Sequence, residues 1–114
     1  MIRGHDRKSM LDKTPAAALD YEIAQEMAAA LGRLGRRLER ALLALAQFDQ
    51  ANPAHSETHT QHRRVLVADA GDALWHFVVQ REACGLRDGR QVMRDYRVPP
   101  EVQYRMGVSG VRDQ

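Results

Sequence analysis

From Ala24 the apolar positions fall at Ala24, Met27, Leu31, Leu34, Leu38, Ala41, Leu45 and Phe48, in steps of three and four that lay one seam along a helix face. Ala28, Gly35 and Leu42 widen the seam on one side. Thr14 is a good N-cap for this helix, and Pro15 suits its first position, where a missing N–H costs nothing. The pattern ends near Asp49 to Ala51. Gly32 and Gly35 each weaken a helix by about 1 kcal/mol relative to alanine. At Gly35, beside the seam, the small residue would let a neighbouring helix approach closely; the plainer reading is a loss that so long a helix tolerates.

Asn52 followed by Pro53 predicts a second N-cap and first helical residue. Apolar residues then continue through "RRVLVADAGDALWHFVVQREACG" to Cys84, with Gly85 as a left-handed cap and Leu86 as the apolar contact that often follows one. Two long helices joined by a few residues must lie antiparallel. At about 1.5 Å per residue each would be about 45 to 55 Å long. Further on, Asp88-Gly89 marks a turn, Gln91 to Tyr96 fit a short helix, Pro99-Pro100 opens another, and Gly107 closes it. Val92, Met93, Tyr96, Val98, Val102, Tyr104 and Met106 give this segment enough apolar surface to fold back. The expected fold is all-α: a long antiparallel helical hairpin (about 15–50 and 53–84) with short C-terminal helices packed on it. Residues 1–13 are expected to form a disordered arm, 14–107 one helical domain, and 108–114 a frayed tail.

Composition agrees with this picture. Hydrophobic residues make up 44% of the 114 and aromatics only 5%, which favours helix over a strand-rich sandwich. One cysteine, Cys84, cannot make an internal disulfide and reads as a small core residue in a reducing compartment. The opening "MIRGHDRKSMLDK" has no apolar run behind it, and no stretch approaches a membrane span, so a cytoplasmic protein without a membrane partner is expected.

The runs "LDYEIAQE" (Leu19 to Glu26), "LGRLGRRLE" (Leu31 to Glu39), "VVQREACGLRD" (Val78 to Asp88) and "DYRVPPEV" (Asp95 to Val102) together resemble a family of short, uncharacterised bacterial proteins grouped as a domain of unknown function. The similarity covers roughly residues 16 to 107. It implies a helical bacterial protein and brings no activity or catalytic residue with it. The histidine-bearing stretch lies outside the recognised runs.

That stretch is "HSETHTQH". His55, His59 and His62 stand four and then three residues apart, so on a helix starting at Pro53 their rings share one face within about 60°. Neutral imidazoles so placed can hold zinc or another borderline metal, with Asp49 or Glu57 as oxygen donors. There is no His-Glu-x-x-His and no cysteine pair, and the end of a hairpin gathers polar residues anyway, so a polar helix start is the plainer reading. His5 and His76 stand alone.

A second constellation is "RLGRRLER". Arg33, Arg36, Arg37 and Arg40, at i, i+3, i+4 and i+7, form a basic stripe opposite the leucine seam that can neutralise phosphates, and Arg63 and Arg64 would enlarge it. Glu22 and Glu26 continue the same face with the opposite sign, no aromatics interleave for base stacking, and the helices are too long for a helix-turn-helix. Nucleic-acid binding is therefore the alternative, and a solvated face the plainer reading. No nucleophile elbow, phosphate loop or dinucleotide glycine pattern is present, so neither an enzyme nor a cofactor is expected.

The leading expectation is a homo-oligomeric interaction or scaffold protein. With Val65 as zero and steps of about 100°, Leu66, Phe77, Leu74, Val67, Val78, Trp75 and Val79 cover most of the second helix's circumference. A helix apolar on nearly all sides has to be surrounded. The first helix and the C-terminal segment cover two sides, and a second copy would cover the rest as an isologous homodimer, a four-helix bundle with Trp75 and Val78 at the contact and Gly35 where backbones come close.

Overall fold

The computed structural model describes residues 14–54 and 56–112. The predicted N-terminal arm 1–13, His55 and the last two residues lie outside the described residues. Four helices follow one another: α1 (Pro15–Ala51), α2 (Glu57–Ala83), α3 (Gly89–Asp95) and α4 (Pro100–Arg112). Among the described residues there is no strand, and no helix is long and apolar enough to cross a membrane. The all-α hairpin with C-terminal helices upon it is the fold observed.

The chain divides into two compact units at Ala30. In the first, Thr14 caps α1 as predicted: its Oγ1 accepts from the Ala17 N–H at 3.1 Å and its carbonyl from Ala18. Residues 15 to 30 bury little. Leu19, Tyr21 and Ile23 are exposed, as are Ala24 and Ala28 of the predicted seam.

In the second unit the seam packs as its period demands. Leu38 and Leu45 are buried, with Leu31, Leu34, Ala41 and Leu42 against them. From α2 come Ala70, Ala73, Leu74 and Phe77, from α3 Val92, and from the C-terminal return Val98 and Val102. Gly35 faces Phe77, Arg37 meets Asp72, Phe48 meets His62 and Asp49 meets Arg63, so α1 and α2 run antiparallel. α4 lies along α2. The two come close at Gly71, where an added Cβ would stand 3.0 Å from Arg105 Cγ and 3.3 Å from its backbone carbon.

Three helix boundaries differ from expectation, the smallest difference being the start of α3 at Gly89 and not Gln91, with the Asp88 side chain accepting from the Gln91 N–H as its cap. Asn52 ends α1 instead of opening α2, because both its backbone N–H and its side-chain amide donate to the Phe48 carbonyl, each at 2.9 Å. The residue before a proline is also disfavoured in the helical region. α2 starts at Glu57, where extended Ser56 is the N-cap and accepts from the His59 N–H. At the other end of the chain, α4 continues through Gly107 to Arg112.

The end of α2 follows its sequence signature. Gly85 has φ +85°, its N–H reaches the Glu82 carbonyl and the Leu86 N–H that of Arg81, the paired bonds of a Schellman cap, although Leu86 itself stays exposed. α3 ends in the same way without a glycine. Arg97 takes φ +50°, its N–H bonds the Arg94 carbonyl and that of Val98 bonds Met93, while the Val98 side chain enters the core. A left-handed non-glycine residue is held against a cost of about 1 kcal/mol. Arg97→Gly should therefore raise stability by up to about 1 kcal/mol, less the glycine's greater freedom when unfolded, visible as a higher urea midpoint at unchanged slope. A lower midpoint would mean that the arginine side chain contributes more than its backbone costs.

Candidate functional site

The arginine stripe divides. Arg33, Arg36 and Arg40 lie exposed on α1, whereas Arg37 turns to α2 and donates from Nη2 to Asp72 Oδ2 at 2.7 Å. His76 Nδ1 lies 2.8 Å from the Asp72 carbonyl and 3.3 Å from Arg37 Nη1. A carbonyl only accepts, so the shorter contact places the proton on Nδ1 and leaves that nitrogen unable to accept from Arg37. Trp75 sits edge-on to the His76 ring at 5.2 Å. Arg37 thus ties the two long helices together.

Of the three clustered histidines, His59 and His62 are among the described residues. α2 begins at Glu57, later than the sequence predicts, and His55 is outside the described residues. His59 and His62 both pack edge-on to Phe48, with ring centroids 6.0 and 4.6 Å away. His59 Nδ1 lies 3.1 Å from the Ala54 carbonyl. Among the described residues no three His, Cys, Asp or Glu side chains are grouped to hold a metal ion.

Arg63, expected to extend the basic stripe, instead joins three helices. Its Nε and Nη2 donate to the Asp49 carboxylate at 2.7 and 3.0 Å, and its Nη1 and Nη2 to Glu101 at 2.8 and 2.6 Å. Two forked pairs on one guanidinium fix both carboxylates in plane, which a lysine could not do.

The residues assigned to self-association are placed differently from one another. Gly35 is buried inside the chain, where an added Cβ would meet Tyr96 Oη at 3.0 Å and Phe77 Cε1 at 3.3 Å. The close approach it permits is to its own chain, which takes it off any surface offered to a second copy. Val78 is half-buried and packs against the core. Trp75 is 36% exposed, and on the same helix Val79, one turn on, and Val65, ten residues before it, are 45% and 56% exposed.

The sequence model of a family of unknown function (DUF6665) matches residues 7–113. The chain belongs to that family. No curated protein and no solved structure matches it. DUF6665 membership agrees with the resemblance carried by the four runs between Leu19 and Val102, and it assigns no chemistry to any residue.

In this DUF6665 chain the residues that organise the structure's polar contacts are ones the sequence pattern left out: Asp72, Glu101 and Arg63 in its clamping role. Their one local signal is that Arg63 and Asp72 interrupt or flank an apolar run. Partners 38 and 35 residues away leave no periodic trace.

The Arg63 hydrogen bonds outweigh burial and hold the Glu101 carboxyl below its ordinary pKa, while the two carboxylates hold the Arg63 proton more tightly than usual. A lowered folded pKa gives stability that is present above the unfolded carboxylate value and is lost as pH falls through the folded one. Side-chain exposures of 32% for Arg63 and 46% for Glu101 mean solvent screening, so the pair contributes about 1 kcal/mol or less. Arg63→Met should make stability fall less steeply between about pH 6 and about pH 3, because the Glu101 carboxyl would lose the partner that holds its pKa down. Urea titrations across that range check this, and parallel slopes for the two proteins would refute the clamp's role.

Proposed function

We propose that this DUF6665 member is a homo-oligomeric interaction protein without catalytic activity, and that a second copy covers the outer face of α2. The observation that carries this reading is the exposure of Val65, Trp75 and Val79. At about 100° per residue these three fall within about 80° of one another, on the side of α2 away from Leu74 and Phe77. A large aromatic between two valines on a helix whose other side is core leaves apolar area open to water, and contiguous apolar area of that kind marks association surfaces. Asp72 lies on the same strip but is neutralised by Arg37, which lowers the cost of covering it. Two copies related by a two-fold axis would each cover the other's strip with the same residues.

Light scattering across a gel-filtration peak should give about twice the chain's 12.9 kDa. Trp75→Glu should bring the mass down to one chain, whereas Leu43→Glu, at an exposed position on α1, should leave it doubled. A monomer mass for the unaltered protein would sink the reading. The alternative, phosphate binding by Arg33, Arg36 and Arg40, predicts retarded DNA or RNA at low salt, where electrostatic binding is strongest. Under the reading preferred here no such shift is seen.

A further inference from the structure

A cleft of about 570 Å³ opens where α1 turns into α2, bounded across the gap by α4. Its volume is within the range of small-molecule sites. Phe48, Pro53 and Val67 give it an apolar lining. Its charged groups are Arg63, Arg64 and Arg105 against Asp49 and Glu101, three positive charges against two negative ones. Arg63 is engaged by both carboxylates, so the excess charge resides on the other two arginines.

Arg105 is the informative one. Its stem crosses Gly71 so closely that an added Cβ there would stand 3.0 Å from Arg105 Cγ and 3.1 Å from its Cβ, which places the base of the side chain beside the cleft. Its Nε is buried and has no hydrogen-bond partner among the described residues. A buried N–H of a permanent cation without an acceptor is costly, and such a group in a native fold calls for an explanation. The residue itself lines a cleft that also holds the exposed Arg64, so its buried Nε leaves the outer end of the guanidinium as the part a ligand could meet. One singly charged acceptor in the cleft would neutralise the excess charge.

We propose that this cleft binds a small organic carboxylate, its charge between Arg105 and Arg64 and its apolar body against Phe48, Pro53 and Val67. A carboxylate matches the fork of an arginine and carries the one negative charge that neutralises the lining, whereas a phosphate monoester near neutral pH brings close to two. The apolar wall selects a molecule with an aryl or alkyl group beside the acid over acetate or a bare inorganic anion. The inference is independent of self-association, because none of these residues lies on the Val65, Trp75 and Val79 strip.

The test is calorimetric titration with three probes, benzoate, phenyl phosphate and benzyl alcohol, with backbone amide shifts recorded by NMR to locate binding. Benzoate is expected to bind most tightly and to move amides around residues 48 to 64. Arg105→Met, which keeps a stem over Gly71, should weaken benzoate by about tenfold or more, the loss expected for a charge-assisted hydrogen bond. Arg64→Gln, a surface change that leaves the packing alone, should weaken it also and keeps the test decisive if Arg105→Met does not fold. Trp75→Glu should bind benzoate as the unaltered chain does. No binding of benzoate, equal binding of benzyl alcohol, tighter binding of phenyl phosphate, or unchanged affinity in Arg64→Gln would each overturn the proposal.

Discussion

Two antiparallel helices touch along a single line, and the side chains on that line stay open to water on both flanks. The fold depends on closing one of those flanks. Val98 and Val102 reach the core from the C-terminal return, beside Leu38 and Leu74, which a hairpin alone would leave half-wet. The closure needs α4 to lie tightly on α2, and Gly71 permits it: with any larger residue there, the Arg105 stem and backbone would have to retreat. Gly35 does the same for the ring of Phe77 and the hydroxyl of Tyr96 on α1. Two missing side chains, one on each long helix, thus set how closely the third layer approaches. The helical stability that each glycine forgoes, about 1 kcal/mol, is offset by the contact it permits.

The polar contacts reinforce that geometry at two levels of the hairpin. Arg37 with Asp72 links α1 to α2, and Arg63 links both to α4 through Asp49 and Glu101. Neither is deeply buried, so their energy is modest and their effect is on register: a forked guanidinium is satisfied in one relative position of its partners and not in the next turn along. Arginine has no lysine substitute in this role. Fifteen of the chain's 17 basic residues are arginines, and at least two of them serve this structural end, so basic residues here are a poor guide to phosphate binding.

The amino-acid pattern made the main elements legible where a local rule governed them. The seam from Leu31 to Leu45, the Thr14 cap, the glycine after Cys84 and the prolines before α4 all reported through neighbours within one or two turns. It failed where two local rules competed. Asn-Pro both opens helices and ends them, and a hydrogen bond back to Phe48 decided for the ending, which moved the N-cap of α2 to Ser56. It was silent where partners are far apart in sequence, as in the Arg63 clamp. Gly35 was correctly marked for close approach, but the pattern of one helix does not say whose side chain approaches, and the answer was Phe77 and Tyr96 of the same chain.

The same distinction separates the two surfaces that remain open for function. The apolar strip on α2 is what remains when two layers cover a helix with apolar residues on nearly all sides: α1 and the C-terminal return occupy its inner sides, and Val65, Trp75 and Val79 are left over. Its chemistry is non-directional, so whatever covers it is selected by apolar area and shape and not by paired charges. The cleft at the hairpin turn arises in the opposite way, from closure itself. Bringing α4 over Gly71 carries Arg105 into the gap beside Arg64, while Asp49 and Glu101 are both taken by Arg63. Tight packing of the third layer therefore creates a directional, charged site in the act of completing the core, with Gly71 the residue on which both depend.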